Sequence, residues 1–70
     1  MTIESIAKML VEERRRLGIT QAEVALLAGC SKPSVIAAER GRPNLRLETL
    51  VKIANVLGLD LQLSRGKRSA

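Results

Sequence analysis

The chain of 70 residues has no histidine, no phenylalanine, tyrosine or tryptophan, and one cysteine, Cys30. Without histidine and with one thiol, a cysteine-histidine metal cluster and a cysteine-histidine nucleophile are both excluded. No disulfide can close within one chain. No apolar run approaches the roughly 18 residues of a membrane-spanning helix, and the opening MTIESIAK lacks the basic-then-apolar layout of a signal peptide. A cytoplasmic location is therefore expected. The missing aromatics remove the stacking platforms of single-strand binders, so duplex DNA suits this chain better than looped RNA. They also remove the usual anchors of a helix lying on a membrane. A domain of this size buries only about 60% of its unfolded surface, so help from a second subunit is expected.

What is present is charge, unevenly placed. The net charge is +5. Through Ser31 four bases (Lys8, Arg14, Arg15, Arg16) balance four acids (Glu4, Glu12, Glu13, Glu23), whereas from Lys32 onward eight bases face three acids. The whole excess lies in the second half, which points to a polyanion touching that half or, more plainly, to a solvated basic face.

The chain reads as four helices. Thr2 is placed to cap a helix over Ile3, Ile6, Leu10, Arg14 and Leu17, a spacing of three and four that forms one stripe, and Gly18 stops it. Thr20 and Glu23 form a capping box, each side chain satisfying the other's backbone N–H, for a helix from Gln21 to about Ala28. Gly29 ends that helix in a left-handed turn, and Ser31 caps a third from Lys32 to about Arg40, with Val35, Ala38 and Glu39 inward. Pro33 falls in the first turn, where its missing N–H has no helical partner to lose. GRPNLR, from Gly41, is a loop. A fourth helix follows from Leu47 to Leu57, with Leu47, Leu50, Val51, Ala54 and Leu57 on one face and Gly58 as stop.

After Gly58 the period changes. Leu59, Leu61 and Leu63 alternate with Asp60, Gln62 and Ser64, the pattern of a half-buried strand. No other segment reads as its partner, so it either pairs with its counterpart in a second subunit or covers the end of helix four as a ragged extension. The expected organisation is a helical domain over 1–58, a dimerisation strand over 59–64 and a disordered basic tail over 65–70.

Helix, three-residue turn and helix, with Ala25 small inside the first and Gly29 in the turn, describes a helix-turn-helix. A Cβ at a left-handed position costs about 1–2 kcal/mol, which explains the glycine. Cys30 is read as a small buried hydrophobe plugging the wedge with Val35, not as a reactive thiol.

The stretch RRLGITQAEVALLAGCSKPSVIAAERG resembles the Xre/Cro-type helix-turn-helix domains of phage and bacterial repressors, over about Ile6 to Gly58. The resemblance implies an all-α, lambda-repressor-like bundle of four to five helices that binds double-stranded DNA as a homodimer, its second motif helix in the major groove. RPNLRLETLVKIANVLGLDLQL is similar to the antitoxin subunit of Hip-type toxin-antitoxin modules. In these a C-terminal strand joins its twofold mate, and the antitoxin represses its own operon and holds a kinase-like toxin inactive.

Residue by residue, the resemblance puts Lys32, Pro33, Ser34 and Ala37 toward base edges. Only Lys32 and Ser34 of these can hydrogen-bond, so DNA shape and phosphate contacts carry more of the expected specificity. Gln21, Arg40, Arg42, Asn44 and Arg46 fall at the DNA backbone. Arg14 and Glu39 correspond to a partly buried structural ion pair, and Leu59, Leu61 and Leu63 to the dimer strand. Arg46 stands where a capping serine is common in the family, which leaves Asn44 as the only nearby substitute cap for helix four.

The leading expectation is a repressor acting as a homodimer on an inverted repeat, with antitoxin as its narrower form. The alternatives are a solitary Xre-type regulator and an interaction module that neutralises a toxin with little DNA binding. No base, nucleophile and orienting group converge by spacing, so the chain is not expected to be an enzyme. Neither metal nor cofactor is implied, and no membrane partner.

Overall fold

The computed structural model describes residues 1–66; the last four residues of the expected basic tail lie outside them. Four helices appear in order: α1 (Ile3–Leu17), α2 (Gln21–Ala28), α3 (Lys32–Glu39) and α4 (Leu47–Val56). Among the described residues there is no strand.

Each helix start reflects the chemistry of its first residues. Thr2 accepts from the backbone N–H of Ser5 while Ser5 Oγ accepts from that of Thr2, both at 3.0 Å. Thr20 and Glu23 do the same at α2, at 3.1 and 3.0 Å. Ser31 accepts from the Ser34 N–H at 3.3 Å. The exception is α4, whose cap residue Arg46 makes no side-chain bond, and no hydrogen bond from the Asn44 side chain takes its place. A bonded Ser, Thr, Asp or Asn cap contributes about 1 kcal/mol, so α4 depends more on its packing than the other helices.

Helix ends are uniform. A glycine in the left-handed region follows every helix, and the residue after it bonds back to a carbonyl five positions earlier: Ile19 to Arg14, Cys30 to Ala25, Arg42 to Ala37 and Leu59 to Ala54.

The core is Leu10, Val24, Ala25, Ala28, Val35, Ala38, Ile53, Ala54 and Leu57. Partly buried Ile6, Ile19, Cys30, Leu45, Leu50, Val56 and Leu59 surround it. Five of the ten fully buried residues are alanines, which lets helices approach closely where aromatic side chains are lacking. Here α2 packs on α3 and α4, while α1 packs on α3.

Two stripes differ from expectation. On α1, Ala7 is buried whereas Ile3 and Leu17 are 46% and 43% exposed. The end residues of that stripe overhang the helices beneath, and only its middle is covered. On α4, Ile53 is 1% exposed and Leu47 68%. Of the expected face, Leu50, Ala54 and Leu57 do join the core, with Ile53 beside them, while Leu47 at the first helical position is left outside. Six of the ten residues from Leu47 to Val56 are apolar, and their arc is wider than the part that is covered.

After Gly58 the chain runs without helix or ladder through Gly66. Leu59 and Leu61 are half-buried and, with Ile6, Met9 and Leu50, line an apolar groove between α1 and α4, while Leu63 is 88% exposed. In the single chain this is the covering extension. The strand expected over 59–64 is not formed in it.

Candidate nucleic-acid interface

The outer face of α3 is set by its inner one. Val35 and Ala38 are buried, at 0% and 5% exposure, so Lys32 and Pro33 stay exposed and Ser34 and Ala37 half-exposed on the opposite side. Pro33 is the second helical residue, and the helix continues through it. The hydroxyls of Ser31 and Ser34 lie 2.9 Å apart, so one proton is shared between them and Ser34 retains accepting capacity. Lys32 carries the one formal charge on this face.

Beyond α3, Arg40 closes the helix, and Arg42, Asn44 and Arg46 follow in an exposed connection pinned by half-buried Leu45. Gly41 has φ 69° and lies against α1. A Cβ there would meet Ile3 Cγ2 at 3.4 Å and Ala7 Cβ at 3.7 Å. Both the left-handed backbone and the close approach favour glycine at this point, which fixes where the basic connection leaves the bundle.

The ion pairs sharpen the charge pattern. Among the described residues they are Lys8–Glu12, Arg14–Glu39, Arg16–Glu13 and Lys52–Glu48. Lys32, Arg40, Arg42 and Arg46 are in none of them. These four run from the first residue of α3 to the start of α4. Of the described bases, only Arg15 on α1 and Arg65 in the tail also lie outside the ion pairs, so most of the unpaired positive charge falls in this stretch.

Arg14 and Glu39 meet as a fork. Arg14 Nε donates to Glu39 Oε2 at 2.6 Å and Nη2 to Oε1 at 3.1 Å, while Nη1 donates to the Ile19 carbonyl at 3.0 Å. Their side chains are 15% and 6% exposed. Burial pushes the Glu39 carboxyl up, but hydrogen bonds from Arg14 and Gln21 and the charges of Arg14 and Arg15 together hold it below the usual carboxylate range. The bond to Glu39 raises Arg14 in turn, against its own burial.

Gln21 begins α2 and is half-buried, its Nε2 donating to Glu39 Oε1 at 3.1 Å. The residue expected at the DNA backbone thus has an internal partner 18 positions away, which no spacing in the sequence reveals. Gln21 and Lys32 line one open cleft with Thr20 and Ala22, joining the starts of α2 and α3. Among the described residues no cluster of His, Cys, Asp and Glu is placed to hold a metal, and no helix is long and apolar enough to cross a membrane.

The helix-turn-helix family profile matches residues 10–63, from α1 to beyond α4. The chain belongs to the Xre-type helix-turn-helix family. This helix-turn-helix chain is similar to an uncharacterized HTH-type transcriptional regulator of Haemophilus influenzae, 36% identical over 59 residues that make up 84% of this chain and 60% of the relative. It therefore spans less than two thirds of that protein. It is also similar to an uncharacterized HTH-type transcriptional regulator of Methanothermobacter thermautotrophicus, 38% identical over 52 residues, 74% of this chain and 75% of the relative. In the motif's geometry the second helix lies in the major groove and the first crosses the backbone; here those helices are α3 and α2.

Proposed function

We propose that the chain is a sequence-specific, duplex-DNA-binding transcriptional repressor acting as a homodimer on an inverted-repeat operator. The observation that carries this reading is the placement of Lys32, Arg40, Arg42 and Arg46, none of them in an ion pair, from the first residue of a capped, outward-facing α3 to the start of α4. In this reading Lys32, Pro33, Ser34 and Ala37 meet base edges, the two apolar members suiting thymine methyl groups. Gln21, Arg40, Arg42, Asn44 and Arg46 meet the sugar-phosphate backbone. Leu59, Leu61 and Leu63 pair across the twofold axis and set the two α3 helices about 34 Å apart, one turn of DNA.

The test is an anisotropy titration of a palindromic fragment of the protein's own promoter and of random duplex, each over a range of salt. Tighter binding to the palindrome is expected, with a salt slope that falls by nearly one unit for each phosphate-contacting arginine removed per subunit. Equal affinity for both duplexes with no salt dependence would sink the reading. Deleting residues 59–70 is expected to give a monomer with operator affinity lower by orders of magnitude, because the second half-site loses its effective concentration. Sedimentation still reporting a dimer would move the interface elsewhere, with α4 the next candidate.

A narrower reading is an autoregulatory antitoxin that also neutralises a kinase-like toxin. It is favoured by the alternating leucines of 59–64, the segment on which the likeness to Hip-type antitoxins rests. A kinase-like reading frame immediately downstream supports it, and the lack of one leaves a solitary regulator.

A further inference from the structure

We propose that Glu39 is a positioning residue for the DNA-backbone contact of Gln21, an inference that rests on the reading of Gln21 as a phosphate neighbour. One atom carries the link. Glu39 Oε1 accepts from Arg14 Nη2 and from Gln21 Nε2, each at 3.1 Å, while Oε2 takes Arg14 Nε at 2.6 Å. An ionised carboxylate only accepts, so the Gln21 amide must present an N–H to it, which fixes the amide plane and leaves the second N–H and the carbonyl oxygen for an outside partner.

Left to solvent, a glutamine at the first position of a helix samples many rotamers, and ordering it on DNA costs that freedom at the moment of binding. Glu39 meets this cost in advance, since its own carboxylate is held by the Arg14 fork and is 6% exposed. The chain of contacts joins the last turn of α1, the first residue of α2 and the last residue of α3. Gln21 shares its cleft with Lys32 at the other end of α3. The phosphate contact of α2 and the seating of α3 in the groove are thereby held in one register. Arg14 and Glu39 alone suffice to tie α1 to α3. The bond to Gln21 adds nothing to that tie, and its effect falls on the surface facing DNA.

The experiment compares the full chain with Q21A, E39A and the double variant in anisotropy titrations against the promoter palindrome and a scrambled duplex. Each single change is expected to weaken binding to both duplexes by about fivefold to tenfold, since a backbone contact carries no sequence information. The double variant should bind no more weakly than the weaker single, because both remove the same contact. If the two factors multiply, Glu39 does not act through Gln21 and the proposal fails while the phosphate reading stands. If Q21A binds as the unchanged chain does, the phosphate reading itself fails and takes the proposal with it.

E39D keeps a charge opposite Arg14 but withdraws the oxygen from Gln21, so it separates positioning from folding. Its Gln21 side-chain amide resonances should move from their positions in the unchanged chain, and its DNA affinity should fall toward that of Q21A. Unmoved amide resonances in folded E39D overturn the proposal.

Discussion

The α2–α3 turn and the segment after α4 begin alike. Gly29 and Gly58 take φ of 69° and 72°, and the next residue bonds back into the helix, Cys30 to the Ala25 carbonyl at 3.0 Å and Leu59 to the Ala54 carbonyl at 2.9 Å. Both of those residues are half-buried against the core. From there the two segments part. After Cys30 the Ser31 oxygen meets the Ser34 N–H and a helix resumes. After Leu59 the nearest polar side chain is Asp60, which takes the Gln62 amide at 2.6 Å, and no helix follows. A helix stop is thus a generic device, and what the chain becomes next depends on whether a capping oxygen and an inward-facing apolar pattern of period three or four follow it. In the turn both do. In the tail the period is two and its last leucine is left outside.

This contrast breaks most severely where α3 is anchored and the tail is not. E39A strands the Arg14 guanidinium and is expected to cost about 3 kcal/mol in denaturant unfolding, whereas no single tail residue offers a comparable loss. Because Glu39 is held below the ordinary glutamate range, its contribution is complete at neutral pH. It fades as pH falls below about 4.3 and the folded carboxyl finally protonates. The unchanged chain should therefore lose stability through that window, and E39A should show a flatter profile there.

The glycines test the shared part. A Cβ at Gly29 or at Gly58 meets nothing within 4 Å, so the left-handed backbone is the only obstacle at either position. Alanine at each should cost about 1 kcal/mol by thermal unfolding, and the two losses should agree. A much larger loss at one of them would mean that its segment carries more than a helix stop. Next in size is R46S, which gives α4 the bonded cap it lacks and should gain up to about 1 kcal/mol. It should also weaken DNA binding if Arg46 meets a phosphate. Smallest is L63S. At 88% exposure its loss should change unfolding by no more than about 0.5 kcal/mol. Sedimentation should nevertheless show weaker self-association if this leucine pairs across a dimer.

Element boundaries were legible because they are written locally. Thr2, the Thr20–Glu23 pair, Ser31 and the glycines each act within a few residues of where they stand, and spacing alone identifies them. Facing was legible only where one face is apolar. Val35 and Ala38 stand out on α3, while on α4 the apolar arc is wider than the part that is covered, so that buried Ile53 looks no different in the sequence from exposed Leu47. The missing cap on α4 could be anticipated from an arginine at the cap position, and the structure offers no substitute from Asn44. The bond from Gln21 to Glu39 was hidden for a different reason. It is tertiary, between side chains on two helices, and only the packing of α2 on α3 brings them together.

The repeated glycine stop has a consequence in time. Since every helix closes on its own residues and three of the four open on a bonded cap of their own, each can flicker into existence before the others have been met. The search that remains is for the mutual docking of short, already delimited rods across connections of three to seven residues. Chains organised in this way collapse to their final arrangement within microseconds to milliseconds, leaving little interval in which the exposed leucines could find the wrong neighbour.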